Sequence, residues 1–232
     1  MPLQKDAGTV SFIPIPSQTP AWQLAYAHGA VAVGDDVGSV SRLHWPDQSA
    51  SSPLLAFATS PWLDGRMCRG LTWLAGTSLL AAASTQGVAI GEPTTGQRIA
   101  QLPVPDCLLA SLTVDVATTV LFMLSGNQHL YFACIQQTDD GWRCSAHHRL
   151  FGTLNMARIE CMCIADEVLY LGGSGILAFD LKTWRQRWEG QDMEAKHHVG
   201  FARLRNSFWQ FSTPVDVWPV AGDRSSWPGP PC

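Results

Sequence analysis

Two cysteines two positions apart, Cys161 and Cys163, and two histidine pairs, His147-His148 and His197-His198, are the residues best suited to hold a soft metal ion. A zinc centre needs four such ligands to converge tetrahedrally, and it usually takes two of them from a Cys-x-x-Cys turn. The Cys161-Met162-Cys163 spacing instead puts both thiols on one face of an extended segment, because successive side chains alternate across a sheet. Adjacent histidines in extended backbone point to opposite sides, so each pair offers one imidazole to a shared site. The pattern reads as buried thiols in a strand and as surface or loop histidines. No metal is expected.

Paired acids at Asp35-Asp36, Asp139-Asp140 and Asp166-Glu167 could serve general acid–base chemistry if two of them converged in a cleft with shifted pKa values. Each pair lies where two apolar runs are joined, and there Asp side chains satisfy turn amides. Gly172-Gly173-Ser174-Gly175 has the look of a phosphate cradle, but such a cradle needs a helix N-terminus behind it. The residues that follow, 176–181, are apolar and strand-like, so the glycines read as a hairpin turn. No Gly-x-Ser-x-Gly elbow is present to support a serine hydrolase. Trp62, Trp142 and Trp218 lie at or near connections. There an indole serves either as an anchor for a partner or as packing between sheets.

The elements that position these residues are short. The chain has 232 residues, 46% of them hydrophobic and 15% charged, with a net charge of −4. That balance lacks the basic field of a nucleic-acid surface. Its longest apolar runs, 79–83 and 120–124, are strand-sized and too short to span a membrane as a helix. The first residues lack the basic-then-apolar order of a signal peptide. The odd count of seven cysteines fits reduced thiols better than a disulfide frame. These features point to a cytoplasmic or nuclear protein.

Strand-length runs recur in sets of four: 22–26, 30–33, 39–45 and 54–59; then 69–74, 79–84, 88–91 and 98–102; then 108–114, 120–124, 130–135 and 142–150. A fourth set runs from 159–164 through 169–171 and 176–181 to a segment ending at Trp188, and a partial fifth comprises 200–204, 207–211 and 215–220. Positions 38, 87, 126, 175 and 213 mark the turn between second and third strands, spaced on average about 44 residues apart, which suits a four-stranded unit repeated radially. The one helix-like piece is 190–196. An isolated alternating strand precedes the repeats at 9–15, and a Pro/Gly/Ser tail follows them at 222–232.

Two stretches carry a resemblance. Leu177-Ala178-Phe179-Asp180-Leu181-Lys182-Thr183-Trp184, with Trp188 beyond it, is similar to the quinoprotein-type propeller repeat, and Val88-Ala89-Ile90-Gly91-Glu92-Pro93-Thr94-Thr95-Gly96 is similar to the third-strand end of a WD40-type unit. The chain departs from both patterns: it has no Trp-Asp dipeptide, no Gly-His pair opening a unit, and Trp184 where the quinoprotein repeat has glycine. The quinone-dependent dehydrogenases of the quinoprotein class are much longer chains, so no quinone cofactor is expected.

The expected fold is all-β, a small β-propeller of about five four-stranded blades over residues 1–221. The strand at 9–15 would supply the outer strand of the last blade, or a partner's strands would fill the gap. The expected function is a non-catalytic scaffold for protein–protein interaction in an intracellular complex. The alternative is an enzyme or small-ligand binder with a pocket on the ring axis. The candidate partner-binding residues are Asp35, Asp36, Trp62, Gln86, Asn127, Trp142, Ser174 and Trp218. No catalytic residue, cofactor, direct nucleic-acid contact or membrane contact is expected.

Overall fold

The structure, a computed structural model, describes residues 20–27, 30–44, 57–151, 154, 159–173, 175–183, 185–191, 197–204, 207–213 and 217–220. The expected closing strand at 9–15 and the tail at 222–232 lie outside them.

The described strands form five antiparallel sheets, each built from consecutive strands. Sheet 1 contains β1 (Ala21–Ala27), β2 (Ala30–Asp35), β3 (Ser39–His44) and β4 (Phe57–Pro61); sheet 2 contains β5 (Gly70–Trp73), β6 (Leu80–Ser84), β7 (Gly87–Glu92) and β8 (Gln97–Leu102). Sheet 3 contains β9 (Leu108–Thr113), β10 (Thr118–Leu124), β11 (Leu130–Thr138) and β12 (Gly141–Cys144), with β13 (His148–Phe151) also paired to β11. Sheet 4 contains β14 (Ile159–Ala165), β15 (Val168–Gly173), β16 (Gly175–Asp180) and β17 (Gln186–Gln191); sheet 5 contains β18 (His197–Leu204), β19 (Ser207–Thr213) and β20 (Val217–Val220).

The middle strands are apolar throughout because both of their faces are covered. On β6, Leu80 and Ala82 pack toward sheet 1 with Trp62, Val40 and Ala32, whereas Ala81 and Ala83 pack toward sheet 3 with Leu121, Met123 and Ile135. On β10, Leu121 and Met123 look back to sheet 2, while Val120, Phe122 and Leu124 meet Leu169 and Leu171 of sheet 4. Residues of opposite parity thus serve opposite neighbours, as the two-residue period of a strand requires.

The sheets make contact mainly through their first strands, in the row β1–β5–β9–β14–β18. Their backbones run so close that a Cβ on Gly70, at the start of β5, would overlap the Cys107 carbonyl oxygen. Side chains tie the row further. Trp73 Nε1 donates to the Ala25 carbonyl (3.2 Å), and Ser111 Oγ donates to the Trp73 carbonyl (2.9 Å) while accepting from Ala75 N (2.9 Å). Among the described residues no comparable contact joins sheet 1 to sheet 5, so the row is open. Its free flank shows Leu24 and Tyr26 of β1, 64% and 72% exposed.

Three details depart from the sequence reading. The expected strand at 142–150 is two short ones, β12 and β13, which pair with successive parts of β11. They part at Ser145, whose hydroxyl accepts from Cys134 N (2.9 Å) and donates to the Ala146 carbonyl (2.9 Å), turning the chain. The helix-like piece begins as strand, since Gly190 and Gln191 end β17 opposite Ile176 and Gly175, and 192–196 lie outside the described residues. Cys134 is disulfide-bonded, so the all-thiol reading covers Cys68, Cys107, Cys144, Cys161 and Cys163 but not this residue.

Candidate functional site

Antiparallel strands send the second-to-third-strand turns, together with the links between sheets, to one end of the row. Hydrogen bonds fasten the links that follow sheets 1, 2 and 3 to the turn of the sheet each leaves. Leu63 N and Cys68 N donate to the carbonyls of Gly38 (3.1 Å) and Asp35 (2.9 Å), Asp106 N to that of Ser84 (2.9 Å), and Leu154 N to that of Gln128 (3.2 Å). The remaining turns emerge at the other end, where Leu181 N donates to the Glu167 carbonyl (3.0 Å).

A cavity of about 430 Å³ opens at the first end, where β5, β9 and β14 begin, and is lined by Arg69, Asp106, Cys107, Leu108, Ser125 and Gln128 among others. Its charged groups serve each other: Arg69 Nε stands 3.9 Å from Asp106 Oδ1. Ser125 Oγ donates to the His129 carbonyl and accepts from His129 N, both at 3.3 Å, which locks its turn. Burial, reinforced by the Asp106 charge, pushes the Cys107 thiol up to about 12. That is the wrong direction for a nucleophile, which works as the thiolate.

The candidate residues divide. Asp35 is 8% exposed, and its Oδ1 accepts from Val37 N (3.1 Å) and Ser39 N (2.8 Å), closing the β2–β3 turn. Asp36, beside it and half-buried, keeps one buried carboxylate oxygen without a hydrogen-bond donor. Trp62 is 3% exposed and lies between sheets 1 and 2, with Nε1 donating to the Gly96 carbonyl (3.3 Å). It is packing, not a surface anchor, because the Leu63–Gly38 bond folds its link inward. Gln86 and Asn127 are exposed on turns at the first end. Trp142, half-buried on β12, belongs to the opposite end and does not join them. Trp218 lies in β20 opposite Gln210, and Ser174 lies outside the described residues.

Of the histidine pairs, His147 and His148 have described side chains, and each packs on a ring of β11. His147 stands edge-on to Tyr131 at 5.6 Å and His148 is tilted over Phe132 at 5.5 Å, on rings that alternate across β11. Burial raises the thiols of Cys161, to about 12, and of Cys163, while Cys161 Sγ donates to the Gly172 carbonyl (3.6 Å). Among the described residues no three His, Cys, Asp or Glu side chains are grouped to hold a metal ion.

The opposite end holds a second cavity, of about 510 Å³, between sheets 1, 2 and 3, with Arg42, Trp73, Glu92, Thr94, Gln137 and Trp142 in its walls. Arg42 and Glu92 escaped the sequence reading. Alternation along Val40-Ser41-Arg42 was a usable signal, since it places the arginine on the same face as the inward Val40.

No family model matches the chain, and no curated protein matches it in sequence. Solved structures do. The β-propeller domain of Cps50 (Swd1) from Myceliophteria thermophila superposes with a TM-score of 0.61 at 11% identity, over 84% of this chain and 68% of that one. The fold is that of a β-propeller. Saccharomyces cerevisiae Sqt1 matches with a TM-score of 0.57 at 14% identity, over 85% of this chain and 58% of its own, so the chain spans less than two thirds of Sqt1. The computationally designed Ika8 protein matches with a TM-score of 0.50 at 13% identity, over 88% and 72% respectively. The expected β-propeller architecture is thus borne out. No helix among the described residues is long and apolar enough to cross a membrane.

Proposed function

We infer that this chain is a non-catalytic propeller scaffold that holds protein partners within a larger cytoplasmic or nuclear assembly. The observation that carries the reading is the first end of the row. Its turns are held to the links by backbone bonds, yet Gln86 and Asn127 stand exposed on it. Side chains on such a fixed rim meet a partner at small entropic cost. The enzyme alternative draws no support from the cavity at the first end, where Arg69 faces Asp106 and burial pushes the Cys107 thiol up, away from the thiolate.

The row closes, in this reading, when residues 9–15 add a fourth strand beside β20 and the completed sheet covers Leu24 and Tyr26. Three observations favour it: sheet 5 is three-stranded among the described residues, β20 is its edge, and the free flank of β1 is apolar. Raw sheet edges and apolar flanks invite association.

Affinity capture with the full chain and with a Gln86→Ala, Asn127→Ala double variant tests the scaffold reading. The double variant is expected to lose captured proteins without a change in melting temperature. Identical captured sets would refute this rim as the contact surface.

A further inference from the structure

We propose that the 510 Å³ cavity at the opposite end is a docking site for an acidic peptide segment, with Arg42 receiving a carboxylate and Trp142 supporting an adjacent apolar side chain. This rests on the scaffold reading and names the chemistry of a second contact, away from Gln86 and Asn127.

Arg42 carries the inference. It lies on β3, on the face turned toward sheet 2, and is half-buried. Its Nε is buried and has no hydrogen-bond partner, and among the described residues no ion pair neutralises its charge. A guanidinium nitrogen buried without an acceptor is costly, and a carboxylate supplies both a counter-charge and acceptors matched to the planar fork. Cavities of this size accommodate such a ligand.

The other lining groups sharpen the ligand class. Trp73 is buried and spends Nε1 on the Ala25 carbonyl, so it serves as an apolar wall. Trp142 is half-buried with its base on the core between sheets 2 and 3, leaving part of the indole toward the cavity. Glu92 lines the same cavity, and its Oε2 accepts from Thr95 Oγ1 (3.2 Å) rather than from Arg42. A fixed carboxylate there repels a dianion more than a monoanion, which favours an aspartate or glutamate side chain over a phosphate.

The test titrates the full chain with an end-capped peptide carrying two aspartates flanked by leucines, followed by calorimetry, with inorganic phosphate as the second probe. Arg42→Gln is expected to weaken peptide binding about tenfold or more. Glu92→Gln should tighten it about two- to fivefold, and raising the salt concentration should weaken it. Absence of peptide binding to the unaltered protein, or equal binding by Arg42→Gln, would overturn the site. Phosphate binding as tight as the peptide's would overturn the carboxylate preference. If Arg42→Gln fails to fold, Glu92→Gln decides, and unchanged affinity counts against the proposal. Partner capture through Gln86 and Asn127 that survives in Arg42→Gln, alongside failure of the peptide arm, would sink this site and leave the scaffold reading standing.

Discussion

Replacing Trp62 by alanine separates the two roles that an indole at a sheet-to-sheet link can play. The ring is 3% exposed and shares its cluster with Ala32, Val40, Leu71 and Ala89. A Cβ built on Gly91 would stand 3.0 Å from Trp62 Cζ2, so the strand beneath leaves no slack. Truncating a buried aromatic to alanine costs about 3–5 kcal/mol, from lost burial and the cavity left behind. At about 2–4 °C per kcal/mol for a chain of this size, the melting temperature should fall by about 6–20 °C. Trp62→Phe isolates a smaller part. It retains a ring but leaves the Gly96 carbonyl without the Nε1 donor at 3.3 Å, a loss of about 1 kcal/mol from the hydrogen bond alone. Urea titration gives both values, with an unchanged m confirming that stability and not compactness has moved. A Trp62→Ala protein within about 0.5 kcal/mol of the parent, as for an ordinary surface change, would refute the packing assignment.

Further expectations concern turns, thiols and closure. Asp180, 6% exposed, accepts from Lys182 N (2.8 Å) and Thr183 N (3.0 Å), so Asp180→Ala should cost about 1–3 kcal/mol in urea unfolding; a neutral result would refute its role in the turn. Burial raises the thiols of Cys68 and Cys107 from 9.0 to about 12 and that of Cys144 to about 11, so native protein at pH 8 should react with iodoacetamide far more slowly than unfolded protein. Unfolding releases those protons above pH 9.0, so this part of the stability is present below pH 9.0 and is lost as pH rises toward 12, as melting across that range will show. Deleting residues 1–16 should lower the melting temperature if the strand at 9–15 completes sheet 5, and an unchanged value would reject closure by that strand.

Much of the architecture was legible because strands covered on both faces have little choice of residue. Leu79-Leu80-Ala81-Ala82-Ala83 and Val120-Leu121-Phe122-Met123-Leu124 must be apolar at every position, and glycine or polar turns punctuate them. The division of β12 from β13 was not legible, since it depends on Ser145 finding a backbone amide eleven residues away in sequence. The site was harder for the same reason. Asp35-Asp36 announces a turn, but which carboxylate it consumes is settled by the amides of Val37 and Ser39. Trp62 stands in a polar link whose direction is set by Gly38, a residue in another strand pair. Arg42 interrupts an apolar alternation. Its significance emerges only once Trp142, a hundred residues on, is seen to line the same cavity.

Because each sheet leans chiefly on its immediate neighbours in sequence, the molecule behaves energetically as a short one-dimensional stack. Among the described residues, damage in sheet 1 reaches sheet 4 through the two sheets between them. Local opening is then graded along the chain: amides of β6 and β10, guarded on both sides, exchange with solvent last, whereas those of β1, with one flank bare, exchange early. Whatever settles on the bare flank, the completed sheet 5 or a partner's strands, would slow exchange there first and leave a footprint in the amides of β1.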